Sequence, residues 1–243
     1  MPVPRIHCDL RLGPGAQFAL DPDAAQHVAK SLRLKAGDAL VVFDGRGGEY
    51  DASIQRIDRD RVDVKVGAYR DASRESALLL GLVQGLPEAD KMDWIIQKST
   101  ELGVSWIQPV TCERSVVRLS GDRAARREAH WRRVAIAASE QCGRTRIAEV
   151  RPTLGLPSWL AAPAQVPRWM LALDGTPIAK QPAAPSPLEL VVGPEGGFSE
   201  RERSLLFDHG CLAVSIGPRV LRTETAPLAA LAAIHALWGD FGG

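Results

Sequence analysis

The fold of this chain is decided by one stretch, LELVVGPEGGFSERERSLLFDHGCLAVSIGPRVLRTETA, which covers residues 188–226. It contains two short apolar runs, Leu188–Val192 and Leu212–Ile216, and a Gly-Pro pair ends each of them. Such runs, when turn residues bound them, are typical of buried parallel strands. In open α/β sheets, the loops at the carboxyl ends of strands bind ligands. We therefore expect the two strands to be neighbours and their loops to form a site, although ordinary turn chemistry would explain either loop alone.

The same stretch predicts two helices. Ser199 and Glu202 have the spacing of a capping box, so a helix follows the first loop. Thr223 or Thr225 can cap the final helix, residues 225–238. That helix contains PLAALAAIHALW and is apolar around its whole circumference, so it must be buried on most sides. We favour burial against a second copy of the chain over burial within one protomer.

Upstream residues extend the α/β pattern. Apolar strands are predicted at Leu78–Val83, Val104–Val110 and Trp169–Leu173, and an amphipathic helix at Ala89–Leu102. Strands that alternate with helices imply a mostly parallel sheet with helices on both faces. The Pro- and Ala-rich segment 177–187 is expected to be a crossing loop.

The N-terminal residues show a different pattern. A short helix is predicted at Asp23–Leu34, and strands separated by turn signals are predicted at Ala39–Phe43, Glu49–Ile57 and Arg61–Val66. We interpret this region as a small β-barrel or sandwich. The polar segment RDASRES contains the boundary, which divides the chain into domains of residues 1–72 and 73–243.

The composition of the 243 residues is that of a globular protein, with 45% hydrophobic and 24% charged residues. The net charge of +1 does not by itself indicate nucleic acid binding, and no apolar run has the length of a membrane span. Charges stand where a signal peptide needs an apolar segment, so we expect a cytoplasmic protein. The four cysteines are far apart and are expected to be free thiols. The histidines form no ligand pair on one helix face, and we expect no metal.

Several common catalytic motifs are absent from the sequence: the phosphate-binding loop, the Gly-x-Gly-x-x-Gly dinucleotide fingerprint and the Gly-x-Ser-x-Gly elbow. The predicted site instead combines glycine-rich loops with Glu195, Arg222 and Glu224. Glycines allow main-chain groups to approach a flat ring closely. Such a site suits a nucleoside-like cofactor that main-chain hydrogen bonds hold.

Arginine is concentrated in the middle of the chain. Residues 111–151 contain ten arginines against five acidic residues, a local excess of five positive charges in a nearly neutral chain. A solvated helix face is one explanation. Because the excess lies next to a small β domain, a common vehicle for RNA binding, we favour nucleic acid.

The motifs resemble those of a known family. GPEGGFSERE at 193–202 and IGPRVLRTETA at 216–226 are similar to the two signature segments of the ribosomal RNA small subunit methyltransferase E family. Three more segments agree in the same order: HVAKSLRLKAGD at 27–38, KMDWIIQKSTELGV at 91–104 and EQCGR at 140–144. The resemblance covers nearly the whole chain.

The resemblance implies a fold and an activity. The C-terminal domain would be a SPOUT-type α/β methyltransferase, in which a mostly parallel sheet with helices on both faces carries a deep trefoil knot. The N-terminal domain would be a PUA-like β-barrel that helps to bind RNA. The enzyme would transfer a methyl group from S-adenosylmethionine to N3 of uridine 1498 in the 16S rRNA of the small ribosomal subunit. A homodimer formed through the C-terminal domain would complete its active site.

The resemblance also implies a set of site residues. Those implied in the cofactor pocket are Leu171, Leu173, Asp174, Gly175, Gly193, Pro194, Glu195, Gly196, Gly197, Ile216, Gly217, Val220, Leu221 and Arg222. Those expected to contact RNA are Arg5, His27, Arg33, Lys91, Lys98, Arg114, Arg118 and Arg144.

Methyl transfer to N3 of uracil requires the loss of the N3 proton, so a positioned general base would help. Glu195 and Glu224 on the signature loops are the candidates, and Glu140 is a third from another segment. Arg222 or Arg144 could stabilise the negative charge that develops on the uracil oxygens. Either loop glutamate could instead cap a helix or pair with an arginine.

Two rival functions stay open at this point. One is a related SPOUT methyltransferase that acts on tRNA. The other is a non-catalytic RNA-binding or ribosome-assembly protein on the same scaffold. The intact GPEGG and LRTETA loops argue against the second rival, since a protein without a cofactor has no reason to retain both.

Overall fold

The structure is a computed structural model that describes residues 3–59, 61–88, 90–163 and 165–242. The chain divides into two compact units: unit 1 contains residues 1–75 and 139–147, and unit 2 contains residues 76–138 and 148–243. The sequence predicts one boundary, after residue 72. The short segment 139–147, which the structure groups with unit 1, has no counterpart in that prediction.

Unit 1 is built on a five-stranded sheet. Its strands are β1 (Arg5–His7), β2 (Gln17–Ala19), β3 (Ala39–Phe43), β4 (Glu49–Asp58) and β5 (Arg61–Arg70). Their order in the sheet is β1-β3-β4-β5-β2, with β1 parallel to β3 and the other neighbours antiparallel. Helix α1 (Pro22–Gln26) begins after Asp21, whose carboxylate accepts a hydrogen bond from the Ala24 N–H. A π-helical turn, His27–Ser31, follows it.

The predicted strands of unit 1 that lie between turn signals in the sequence are confirmed. β3 has its predicted bounds, and β4 and β5 begin at their predicted residues. β1 and β2 were not predicted, because three residues are too few to show an alternation. The predicted helix 23–34 is shorter than expected, since it continues only as the π-helical turn to Ser31.

Unit 2 contains a seven-stranded sheet. Its strands are β6 (Leu80–Gly85), β7 (Trp106–Thr111), β8 (Glu149–Val150), β9 (Leu154–Gly155), β10 (Arg168–Pro177), β11 (Leu188–Val192) and β12 (Leu212–Ser215). Their order is β12-β10-β11-β6-β7-β8, and β9 also pairs with β7. All strand pairs described in this sheet are parallel. The predicted mostly parallel sheet is therefore confirmed.

One prediction about this sheet was wrong. The strands β11 and β12 are not neighbours, because β10 lies between them and pairs with both. The register of β10 against β12 shifts between Leu171 and Thr176. A local apolar run shows that a strand is buried, but its hydrogen-bond partners come from distant parts of the chain. The two signature loops consequently follow strands that flank a third strand.

Five helices belong wholly or mainly to unit 2: α2 (Lys91–Glu101), α3 (Gly121–Cys142), α4 (Leu156–Ala161), α5 (Glu200–Asp208) and α6 (Ala226–Trp238). The capping box at α5 is confirmed, since the Ser199 hydroxyl accepts from Glu202 N–H and the Glu202 carboxylate accepts from Ser199 N–H. Helix α2 buries the predicted face, except that Thr100 is buried there in place of Leu102. Its predicted first residue, Ala89, lies outside the described residues.

The final helix differs from its prediction at its N-terminus. Thr225 occupies the N-cap position but its side chain makes no capping hydrogen bond. The Thr223 hydroxyl donates to the Gly193 carbonyl instead. Helix α6 also buries only one side within unit 2, where it packs against α2, and it leaves Ala236 and Leu237 exposed.

Three further observations concern cysteines, membrane spans and metal ligands. The four cysteines are free, as predicted, and burial raises the pKa of Cys8 and of Cys112 to about 12. Across the described ranges, no helix is both long and apolar enough to cross a membrane. In the same ranges, no three His, Cys, Asp or Glu side chains come together as a metal site requires.

Candidate functional site

Unit 2 contains a cavity of about 850 Å³ at the carboxyl ends of three adjacent strands. Its walls come from residues 171–174 of β10, residues 192–200 at the end of β11 and beyond it, and residues 214–226 at the end of β12 and beyond it. Lys91 contributes from the start of α2. Because β10 lies between β11 and β12, the three segments surround one space, and this is the edge at which open α/β sheets bind ligands.

The first wall contains the predicted residues Leu171, Leu173 and Asp174. Gly175, by contrast, is not among the described lining residues; its carbonyl accepts a hydrogen bond from the Ser215 hydroxyl at 2.9 Å. A Cβ at Gly175 would lie 2.6 Å from backbone atoms of Val214. Glycine is therefore needed here for the close approach of β10 to β12.

A side chain that the sequence analysis missed supports this wall. Arg203 of α5 lines the cavity and donates to the Asp174 carboxylate at 2.8 Å. That hydrogen bond lowers the pKa of Asp174. The pair joins the first wall to the helix that follows the second, which a local sequence pattern does not reveal.

The second wall is the loop after β11. Gly193, Pro194, Glu195 and Gly197 line the cavity as predicted. Gly196 is absent from the described lining, and its carbonyl accepts a hydrogen bond from the Arg114 guanidinium at 2.9 Å. Arg114 was predicted to contact RNA, and the structure places it against this loop.

Glu195 is held in place by two donors. Its Oε1 accepts from Lys91 Nζ at 2.6 Å and from Glu88 N–H at 3.1 Å. Burial acts to raise the pKa of Glu195, but these hydrogen bonds outweigh it, so the pKa lies below its ordinary value. A carboxylate whose pKa is lowered is a weaker proton acceptor, because an efficient general base has a pKa near the working pH.

The third wall is the segment after β12. Ile216, Gly217, Val220, Leu221 and Arg222 line the cavity as predicted. Arg222 is exposed, and Val220 retains 82% of its accessible surface. This wall thus presents side chains to the opening of the cavity.

Glu224, at the end of the third wall, also lines the cavity. It is half-buried, and its Oε2 is buried without a hydrogen-bond partner in the part of the chain that the structure describes. A buried polar atom without a partner costs free energy, and such atoms in native structures often have a functional role.

Two residues proposed for the chemistry lie elsewhere. Arg144 belongs to unit 1, where its Nε and Nη2 donate to the Glu75 carboxylate at 2.9 and 2.7 Å. Glu140 also belongs to unit 1, and its Oε1 accepts from His7 N–H at 2.8 Å. Burial raises the pKa of Glu140. Neither side chain is among the described residues that line the cavity.

The remaining residues expected to contact RNA differ in their surroundings. His27, Arg33 and Arg118 are exposed. Lys98 pairs with Glu101 at 2.7 Å. Arg5 retains only 13% of its side-chain surface and pairs with Glu49 at 3.0 Å, so a structural role already accounts for its charge.

Several lining residues besides Arg203 were not among those predicted from the sequence. They flank the predicted ones and are Val192, Phe198, Glu200, Val214, Ser215, Thr223 and Ala226, whereas Ala172 and Arg219 lie inside the ranges 171–175 and 216–222 that the resemblance implies. Phe198, Glu200, Thr223 and Ala226 carried a visible signal, since they lie inside the two signature segments.

Comparison with known families identifies both units. A family model described as an RNA methyltransferase domain matches residues 74–235. A second, described as an RNA methyltransferase PUA domain, matches residues 20–67. The predicted combination of a PUA-like domain with an α/β methyltransferase domain is confirmed.

Individual relatives agree over almost the full length. Ribosomal RNA small subunit methyltransferase E of Bacillus subtilis is 31% identical over 227 residues, which are 89% of each chain. A Legionella pneumophila methyltransferase, solved with its bound cofactor SAM, is 36% identical, with a TM-score of 0.94 over 99% of this chain and 100% of that one. Ribosomal RNA small subunit methyltransferase E of Neisseria gonorrhoeae, bound to S-adenosyl methionine, is 36% identical, with a TM-score of 0.93 over 98% and 99%. The chain belongs to the ribosomal RNA small subunit methyltransferase E family.

Proposed function

We propose that this protein methylates N3 of uridine 1498 in the 16S rRNA of the small ribosomal subunit, with S-adenosylmethionine as the methyl donor. The observation that carries the proposal is the cavity whose second and third walls are the two signature segments of the family. Relatives that are 36% identical bind S-adenosylmethionine.

The cavity suits this cofactor. Its volume of about 850 Å³ lies in the range of small-molecule sites, and leucine, isoleucine and valine side chains provide apolar surface for a flat ring. Leu171 and Leu173 would contact the cofactor from the first wall, the 193–197 loop from the second, and residues 216–222 from the third. When bound, S-adenosylmethionine supplies an electrophilic methyl group on a sulfonium.

Glu224 is the general base in this proposal. N3 of uracil carries a proton at neutral pH, and Glu224 is a cavity-lining residue whose carboxylate Oε2 has no partner among the described residues. Glu195 is already bonded to Lys91 and has a lowered pKa, so we assign it to positioning Lys91. Arg222 stabilises the charge that develops on the uracil oxygens.

Exposed polar side chains bind the RNA backbone. Arg118, His27 and Arg33 are exposed residues that we assign to phosphate contacts. On α3, further exposed arginines extend the basic surface of unit 2: Arg123, Arg126, Arg132 and Arg133. Each phosphate contact contributes to affinity mainly through the release of counterions, so binding weakens as salt rises.

The functional unit in this proposal is a cytoplasmic homodimer with a knotted C-terminal domain. Helix α6 leaves Leu237 exposed, and the adjacent helix α2 leaves 51% of Trp94 exposed. A second copy of the chain would cover this apolar surface. The hydrogen bond from Thr223 to the Gly193 carbonyl supports a knot, since it brings the chain after β12 against the loop after β11. Analytical ultracentrifugation at micromolar concentration tests the dimer; a monomer would contradict it.

The activity is tested with purified small subunits that lack the modification. We incubate them with the protein and S-adenosylmethionine labelled in its methyl group, and then map the modified nucleotide. Label at N3 of uridine 1498 is the expected result, with tRNA and free 16S rRNA as parallel substrates. Label in tRNA alone would favour the tRNA rival. Calorimetry that detects no S-adenosylmethionine binding would favour the non-catalytic rival.

A further inference from the structure

A buried amide lies at the end of β6, next to the cavity walls. Gln84 is the only polar side chain in β6 and is 0% exposed. Its Nε2 donates to the Gly85 carbonyl at 2.9 Å and to the Thr223 hydroxyl oxygen at 3.1 Å, and it lies 3.4 Å from the Gly193 carbonyl. Its Oε1 is buried without a partner among the described residues. An apolar side chain at this position would avoid the free-energy cost of a buried oxygen without a partner. We therefore attribute the presence of Gln84 to the hydrogen bonds that its Nε2 donates.

Thr223 links Gln84 to the 193–197 loop. It is 5% exposed, and its hydroxyl accepts from Gln84 while it donates to the Gly193 carbonyl at 2.8 Å. A hydroxyl can do both at once. Three segments are therefore joined inside unit 2: the end of β6, the start of the 193–197 loop and the segment before α6.

The backbone at the end of β6 is packed closely against the same loop. A Cβ at Gly85 would lie 2.6 Å from the backbone nitrogen of Pro194. The 193–197 loop is thus held in place against β6. The hydrogen bond from Gln84 to Thr223 also holds the third wall against β6.

Thr223 stands between Arg222 and Glu224, and all three line the cavity. Because the hydroxyl of the middle residue is anchored in the interior, the positions of its two neighbours are restricted. We propose that Gln84 and Thr223 form a buried clamp that positions Glu224 and Arg222 for methyl transfer. This inference rests on the proposed function, in which those two residues act on the uracil.

The clamp makes a distinct prediction about kinetics. Removal of the Thr223 hydroxyl or of the Gln84 amide should lower the rate of methyl transfer at saturating cofactor about tenfold, the usual effect of one lost buried hydrogen bond. The affinity for S-adenosylmethionine should change less than about threefold, because Gly85 still packs against the 193–197 loop. Both residues are positioning residues, since neither is assigned a contact with the reacting atoms.

The test compares the full-length wild type with Thr223→Val and Gln84→Met, which remove the donors. Thr223→Ser retains the hydroxyl and should restore the rate. Thr225→Val is the matched control, since Thr225 is exposed and makes no side-chain capping bond. Single-turnover methylation of small subunits, calorimetry with S-adenosylmethionine and thermal unfolding are measured for each. In a Glu224→Gln background, Thr223→Val should lower the rate by a smaller factor than in the wild type, because only the effect on Arg222 remains.

Several results would overturn the clamp. They are wild-type rates in both donor-deletion variants, a rate that falls only in parallel with cofactor affinity, an undiminished effect of Thr223→Val in the Glu224→Gln background, or loss of folding in both variants. An active wild type with unaffected variants refutes the clamp alone. A wild type that transfers no methyl group refutes the proposed function, and the clamp with it.

Discussion

The two loops that form the second and third walls begin alike but are held differently. Each follows a parallel strand and opens with a Gly-Pro pair, although β11 is buried throughout and β12 is exposed at Leu212. The 193–197 loop is bound by side chains from three other segments of the chain: Lys91, Arg114 and Thr223. Its own glutamate, Glu195, is one of the bonded groups. This loop is a fixed wall.

The 217–224 segment keeps its charged groups available. Arg219 and Arg222 are exposed, and Glu224 retains a buried oxygen without a partner among the described residues. Only Thr223 is anchored, through Gln84 and Gly193. Groups that must bind a substrate cannot be saturated by the protein itself, so this segment is the one suited to chemistry.

The largest expected effect that distinguishes the 193–197 loop from the 217–224 segment is at their glutamates, Glu195 and Glu224. We expect Glu224→Gln to lower the single-turnover rate about a hundredfold or more, because the general base is lost, while S-adenosylmethionine affinity stays near that of wild type. Glu195→Gln is the matched control and should lower the rate much less. Rapid-quench methylation of small subunits measures both. An unchanged rate in Glu224→Gln would remove the base assignment.

The fixed position of the 193–197 loop is tested at Gly85. The Cβ of Gly85→Ala would lie 2.6 Å from the Pro194 nitrogen, so the loop has to move. We expect a loss of about 1–3 kcal/mol in the free energy of unfolding, together with weaker cofactor binding. Gly155→Ala is the control, since its Cβ would meet only ordinary contacts, at 3.7 Å or more. Urea unfolding and calorimetry measure both; a Gly85→Ala protein indistinguishable from Gly155→Ala would show that the loop is not tightly fixed.

Arg114 and Arg118 are four residues apart and are assigned different roles: Arg118 binds RNA, and Arg114 anchors the 193–197 loop. Arg118 is exposed, whereas Arg114 donates to the Gly196 carbonyl. Arg118→Ala should reduce the slope of RNA affinity against salt concentration by about one unit and leave cofactor affinity intact. Arg114→Ala should also weaken S-adenosylmethionine binding, because it frees Gly196, at the end of the 193–197 loop that the contact between Gly85 and Pro194 does not hold. Filter binding over a salt series and calorimetry distinguish them, and identical effects of the two variants would contradict this division.

The smallest expected effect is the pH dependence of the Glu195 pair. Since its pKa is lowered in the folded state, the carboxylate stabilises the fold at pH values above its ordinary pKa of about 4.3, and this contribution disappears as pH falls through the folded-state pKa. Glu195→Gln should therefore melt slightly below wild type at pH 7, with a difference that narrows toward pH 3 or so. Calorimetric melting temperatures across that range check the trend; a constant difference would mean that the ion pair adds nothing.

Local sequence was sufficient wherever the determining contacts are local. The bounds of β11, the start of β12 and the capping box of α5 depend on neighbouring residues, and the structure has them as predicted. The glycine-rich segments also identified the second and third walls. The family resemblance supplied the first wall, and the structure brings Leu171 and Leu173 to the cavity.

Contacts between distant segments of the chain could not be predicted from local sequence. The insertion of β10 between β11 and β12, the pairing of Arg203 with Asp174 and the anchoring of Thr223 by Gln84 each join residues far apart in the chain. The sequence by itself therefore determined which residues form strands, caps and glycine-rich turns, since backbone preferences and apolar patterns act over a few positions. Which carboxylate is bonded and which is left available depended on side chains that only tertiary packing brings together.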